Sequence, residues 1–246
     1  MTLVLAAVEP LQLPLAVDLT AVVVGALAGA GVAVRERLDV VGVLILAVAT
    51  GLGGGIVRDV LLGQRPVAMS SGAYLPTVAA AAAVGLLFAS LLHHLGRIVV
   101  LLDAFALALF TVVGVEKALL ASLPPASAVF IGACAAVSGG IIADLLSGRP
   151  VTVVRRGPWY ATAALVGASV YLVASAAGAP SRVCEALCIV VVVAMRLVSL
   201  RWGVQNPESL DVVRVIPVRR RVGEVTDPVE GPPGAGAGAD LGPAQL

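Results

Sequence analysis

Between Leu15 and Leu200 the chain is a series of seven apolar runs of roughly 18 to 23 residues, parted by short polar or proline-containing breaks. They cover about Leu15–Val34, Val40–Leu62, Leu75–Leu92, Ile98–Leu120, Ala126–Leu146, Trp159–Ala176 and Val183–Leu200. About 20 apolar residues cross the hydrocarbon core of a bilayer as an α-helix, which satisfies its backbone N–H and C=O groups internally. No soluble fold with a single core uses so much uninterrupted apolar sequence. Of 246 residues, 59% are hydrophobic and 13% charged, at a mean hydropathy of +1.04. A soluble domain carries about twice that charged fraction. The expected fold is all-α and integral to the membrane, with seven transmembrane helices.

The same reading excludes several functions. Net charge is +1 and no basic patch with interleaved aromatics occurs, so nothing points to nucleic acid. GLGGGI at Gly51–Ile56 lacks the last glycine of a dinucleotide fingerprint, and no phosphate-binding loop, HExxH or GxSxG is present. An enzyme is therefore not expected, and no cofactor or metal is implied. His93 and His94 are adjacent and point in different directions on a helix, which disfavours a shared metal. Cys184 and Cys188, one turn apart in an apolar run, read as small hydrophobes. Residues 1–14 lack the basic start and cleavage site of a signal peptide. Residues 203–246, rich in Pro, Gly and charge, read as a disordered cytoplasmic tail. Arginines flank the runs unequally: Arg35, Arg37, Arg97, Arg149, Arg155, Arg156 and Arg201 fall on one side, with only Arg65, Lys117 and Arg182 on the other. The positive-inside rule then places the N-terminus outside and the C-terminus in the cytoplasm.

One stretch does not suit a membrane helix. GLGGGIVRDVLLGQRPV at Gly51–Val67 combines a glycine triplet with Arg58 and Asp59, and SGGIIADLLSGRPV at Ser138–Val151 echoes it. Asp59 and Asp144 are 85 residues apart, and the same shift pairs Asp18 with Asp103, Gly29 with Gly114, Gly54 with Gly139, Gly55 with Gly140 and Gly72 with Gly157. Spans one to three therefore repeat as spans four to six, and because three is odd the second copy enters the membrane from the opposite side. The organisation expected is an N-terminal segment (1–14), a first three-helix repeat (15–96), an inverted second repeat (97–178), a seventh helix (179–202) and the tail. Inverted repeats with broken helices build sites near the midplane of transporters. Glycine costs a helix interior roughly 0.5–1 kcal/mol relative to alanine, so the triplet is expected to kink or break its helix beside an ionisable group. Two such helices could line a polar conduit, since intramembrane charges mark pathways. On the competing reading the glycines allow close packing while Arg58 and Asp59 snorkel to the headgroups.

On span four, Asp103, Phe110, Gly114 and Lys117 share a helical face. Lys117 is either a snorkelling helix end or a cation at the edge of a pore. Asp18 and Asp103, near the starts of their spans, read as helix N-terminal charges or caps.

The paired motifs, with LDAFALALFTVVGVEKAL at Leu102–Leu119 between them, resemble the prokaryotic trimeric intracellular cation channels, whose bacterial relatives are often labelled with a glycine-transporter domain. The resemblance covers about Asp18 to Trp202. It implies seven helices per protomer and a homotrimer in a prokaryotic cell membrane. Each protomer would hold a K⁺ and Na⁺ pathway lined by glycine-kinked helices two and five. Matched by motif, Gly53, Gly54, Gly55, Arg58 and Asp59 fall on the first kinked helix, and Gly139, Gly140 and Asp144 on the second. Ser138 and Ala143 depart from the usual third glycine and arginine, leaving Asp144 without an adjacent cation. A secondary transporter of a small solute such as glycine, or a membrane protein without transport, would use the same architecture.

Overall fold

The computed structural model describes residues 15–89, 96–154 and 157–205. Residues 1–14, His93, His94, Arg155, Arg156 and 206–246 lie outside the described residues, and with them most of the tail. Among the described residues the fold is all-helical, with eight α-helices and no strand. They are α1 (Leu15–Arg35), α2 (Val40–Leu61), α3 (Val67–Ser70), α4 (Tyr74–Leu87), α5 (Gly96–Leu120), α6 (Pro125–Leu146), α7 (Ala161–Ala176) and α8 (Ser181–Trp202).

Local chemistry sets the ends of these helices. Asp39 caps α2 by accepting the Gly42 amide at 2.7 Å. Pro125 opens α6, where its missing N–H costs nothing. Gly203 closes α8 in the left-handed conformation, with φ 64°. Five helices, α1, α2, α5, α6 and α8, are long and apolar enough to cross a membrane. The other two apolar helices, α4 and α7, have 14 and 16 residues, or roughly 21 and 24 Å at a rise of 1.5 Å per residue. Each follows a short element that the apolar pattern did not announce: α3 before α4, and a 3-10 turn at Thr152–Val154 before α7.

Helix α1 packs on α2, α4 and α5; α2 packs on α6; α5 packs on α6 and α8; and α7 lies against α6 and α8. The α2–α6 contact is made by glycine. A methyl added at Gly54 would stand 2.7 Å from the Ala135 carbonyl oxygen, and one at Gly139 would stand 3.0 Å from the Thr50 carbonyl oxygen. Ala135 follows Thr50 by 85 residues, as Gly139 follows Gly54, so the contact is reciprocal. Gly25 and Phe110, again 85 apart, meet each other, with the Phe110 ring 3.2 Å from the Gly25 methyl position. Neither α2 nor α6 is interrupted at its glycines. The expected break is absent, and the loose backbone is held by a neighbouring helix at close range.

Candidate functional site

Two polar clusters lie at opposite ends of this crossing. In the first, Arg58 of α2 is fully buried and bonded through three nitrogens. Its Nε donates to Asp59 Oδ1 at 2.8 Å, and Nη1 and Nη2 donate to the two carboxylate oxygens of Asp18 at 3.1 and 3.3 Å. Tyr74 donates its hydroxyl to Asp18 Oδ2 at 2.7 Å. Lys117 reaches in from α5, its Nζ 3.3 Å from Asp59 Oδ1 and 3.5 Å from Asp18 Oδ2. Two carboxylates and two cations therefore cancel, which is how buried charge survives away from water. Asp59 also accepts the Val67 amide at 2.9 Å, fixing the chain as it leaves α2.

The second cluster repeats the plan with changes. Asp144 Oδ2 accepts the Thr152 amide at 2.9 Å, the bond of Asp59 and Val67 moved on by 85 residues, and the Thr152 hydroxyl at 2.8 Å. Tyr160 donates to Asp103 Oδ1 at 3.0 Å, as Tyr74 does to Asp18. Arg196 of α8 donates to Asp103 Oδ2 at 3.0 Å and lies over the Tyr160 ring, 4.5 Å from its centroid. Arg149 stands 3.6 Å from Asp144. The two ends differ in exposure on the single chain: side chains of the first cluster's ion pairs are 1–15% exposed, whereas in the second Arg196 and Asp144 are 7% and 10% but Asp103 and Arg149 29% and 37%. From Asp103 to Lys117 is fourteen residues, roughly 21 Å of helix, so α5 joins the clusters, with Phe110 packed on Gly25 and Gly54 between them.

The profile of a family described as "Glycine transporter" matches residues 15–94 and 100–176. The UPF0126 inner membrane protein YadS of Escherichia coli (strain K12) is 34% identical over 196 residues, 77% of this chain and 93% of YadS. A UPF0126 membrane protein of Deinococcus radiodurans is 40% identical over 160 residues, 64% of this chain and 74% of that protein. Crystal structures of the TRIC trimeric intracellular cation channel orthologue from Rhodobacter sphaeroides include a chain that matches with a TM-score of 0.71 and 34% identity, covering 77% of this chain and 97% of that one. The chain belongs to the TRIC family. A second structure, solved to explain conductance through TRIC cation channels, matches at a TM-score of 0.69 with 30% identity, over 78% of this chain and 95% of that one. These relatives are membrane and channel proteins, not enzymes, and the TRIC chain described here is a multi-pass membrane protein like its bacterial inner-membrane homologues.

Within this TRIC fold, the candidate residues separate into two groups. Arg58, Asp59 and Lys117 come together in the first cluster and Asp144 joins the second, while Gly54 and Gly139 stand at the helix crossing. Gly53 faces Ile142, whose side chain would be 2.7 Å from an added methyl. Gly55 and Gly140 look toward the clusters: a methyl added at Gly55 would stand 3.5 Å from the Arg58 guanidinium, and one at Gly140 would stand 2.5 Å from the Tyr160 hydroxyl. Three readings are corrected. Arg58 and Lys117 do not snorkel, because their charged ends turn inward onto carboxylates. Asp18 does lie in the first turn of α1, as an N-terminal charge would, but its carboxylate is spent on three distant residues, and Asp103 is past the first turn of α5 and is not an N-terminal charge. Asp144 is not left without a cation, since Arg149 arrives from the loop beyond α6.

Neither the tyrosines nor Arg196 belongs to the repeated motifs. The chain has three tyrosines, and each donates to a carboxylate: Tyr74 to Asp18, Tyr160 to Asp103 and Tyr171 to buried Glu116 at 3.0 Å. Arg196 had a legible signal, a charge in the middle of the seventh apolar run.

Proposed function

We propose that this protein is a monovalent cation channel for K⁺ and Na⁺, with one pathway through each protomer of a homotrimer. The observation that carries the reading is the pair of ion-pair clusters, embedded in membrane-spanning helices at the two ends of the α2–α6 crossing. Membrane proteins keep charge at such depth where a bundle interior or water-filled path requires it. The relatives named as TRIC cation channels support the same reading. The pathway runs beside Gly53, Gly54, Gly55, Gly139 and Gly140, past Arg58 and Asp59 at one end and Asp144 at the other, with Lys117 at its edge. It is shut at the first cluster, whose charges neutralise one another and exclude solvent, and wetter at the second.

We also infer two copies of one unit, residues 15–96 and 97–178, related by a pseudo-twofold axis in the membrane plane, with α8 as the seventh span. The reciprocal contact of Gly54 with Ala135 and Gly139 with Thr50 supports this, because i-to-j and j-to-i contacts mark a twofold relation. So do the family profile's two matched segments. The N-terminus lies outside and the C-terminus in the cytoplasm, by the distribution of arginine.

Purified protein in a planar bilayer under a KCl gradient tests the function. Single-channel steps with a cation-selective reversal potential are expected. Saturable, gradient-coupled uptake of labelled glycine without steps would instead make the protein a transporter.

A further inference from the structure

The first cluster holds Asp18 with an arginine of the glycine motif, Arg58. Eighty-five residues on, the motif has Ala143 in that place. Asp103, the counterpart of Asp18, is nonetheless bonded to a guanidinium, and it comes from α8, outside both halves: Arg196 Nη2 lies 3.0 Å from Oδ2.

We propose that Arg196 is a specificity-determining residue of the ion pathway: it is the counter-ion that does for Asp103 what Arg58 does for Asp18, and through it α8 sets the charge of the second mouth. This rests on the reading of a cation path through the protomer. The side chain of Arg196 is 7% exposed and that of Asp103 29%, so the carboxylate is the more open of the two and the guanidinium backs it. Arg58 uses all three of its nitrogens, but Arg196 does not. Its Nε is buried without a partner, and Nη1 lies a distant 3.5 Å from the Trp159 carbonyl oxygen. A buried charge with an incomplete bond set is a poor way to hold a helix in place, because an apolar residue of similar volume would do so without desolvation. Val192 and Cys188, one and two turns before it on α8, are buried in that apolar manner. Beyond its stacking over the Tyr160 ring, what Arg196 adds is a positive charge behind Asp103.

The test compares wild type, R196Q, D103N and the double variant in planar bilayers, reading reversal potentials in KCl gradients at low and high salt, alongside thermal unfolding. R196Q is expected to raise the cation-to-anion permeability ratio roughly twofold or more at low salt, where screening is weak, and D103N to lower it by a similar factor. The double variant is expected to return toward wild type. Opposite signs are the discriminating result, since a purely structural ion pair would give lower melting temperatures and an unmoved ratio. R196K keeps the charge and should keep the wild-type ratio even if R196Q folds poorly; a shifted ratio in R196K overturns the proposal. A conducting wild type with an unchanged R196Q also overturns it and leaves the channel reading standing, whereas a wild type that passes no current removes both.

Discussion

Gly54→Ala and Gly55→Ala add the same methyl to adjacent positions of α2, and the structure assigns them opposite outcomes. At Gly54 the methyl would meet the Ala135 carbonyl oxygen at 2.7 Å and the Phe110 ring at 3.0 Å. Contact between such atoms is most favourable at about 3.5–4.0 Å, so α2 and α6 must part or Phe110 must turn. Overpacking of this kind costs about 1–3 kcal/mol, against which alanine returns roughly 0.5–1 kcal/mol of helix preference. The net loss, up to about 2.5 kcal/mol, corresponds to a melting temperature lower by as much as roughly 10 °C for a chain of this size. At Gly55 the nearest atom is the end of the Arg58 side chain at 3.5 Å, an ordinary contact. Only the helix preference remains, and the melting temperature should hold or rise by a few degrees. Thermal unfolding of the detergent-purified variants, followed by loss of the intact peak in size exclusion, gives the comparison. If Gly55→Ala melts as low as Gly54→Ala, or Gly54→Ala melts with wild type, then close helix approach is not the reason for the glycine at position 54.

Arg58→Ala leaves Asp18 and Asp59 buried with Lys117 as their one remaining cation, and stability should fall by about 3–5 kcal/mol, the usual cost of breaking a buried pair from one side; urea or thermal unfolding reads it. Tyr74→Phe removes a single 2.7 Å donor to Asp18 and is expected to cost about 1.5–3 kcal/mol, measured in the same way. Asp59→Asn and Asp144→Asn keep shape and remove charge, so the cation-to-anion permeability ratio should drop, more at low salt; reversal potentials unaltered in both would take these aspartates out of the pathway. Native mass spectrometry in mild detergent should give three times the chain mass, and a monomer that still conducts would defeat the trimer.

Most helices were legible because bilayer thickness imposes a length and composition on any spanning segment, and five of the seven apolar runs hold a helix long enough to cross, the other two holding the shorter α4 and α7. The spacing of 85 also had a visible physical trace, since it carries the Asp59–Val67 bond onto Asp144–Thr152. The sequence was silent about partners made by tertiary approach. Asp18 and Tyr74 are 56 residues apart, and no periodicity ties them. Tyr160 does the same for Asp103 from a position shifted by 86 rather than 85, which hides it from a strict register. For the glycines the sequence left two readings open, a weak point within one helix or close packing of two, and the close approach of a second helix at Gly54 and Gly139 favours the packing reading there. Arg196 is readable as a charge within an apolar run, but its partner is not, because Asp103 lies 93 residues away and no periodicity ties them.

The reciprocal glycine contact also sets an order of events during synthesis. Gly54 and Gly139 are separated by 85 residues, and a ribosome adding about 5–20 residues per second needs roughly 4–17 s to make that stretch. For that interval the glycine face of α2 lacks the helix that covers it, although Lys117, 58 residues after Asp59, is made before α6 is complete. The packing surface that α2 offers is thus complete only once α6 has been made and laid across it.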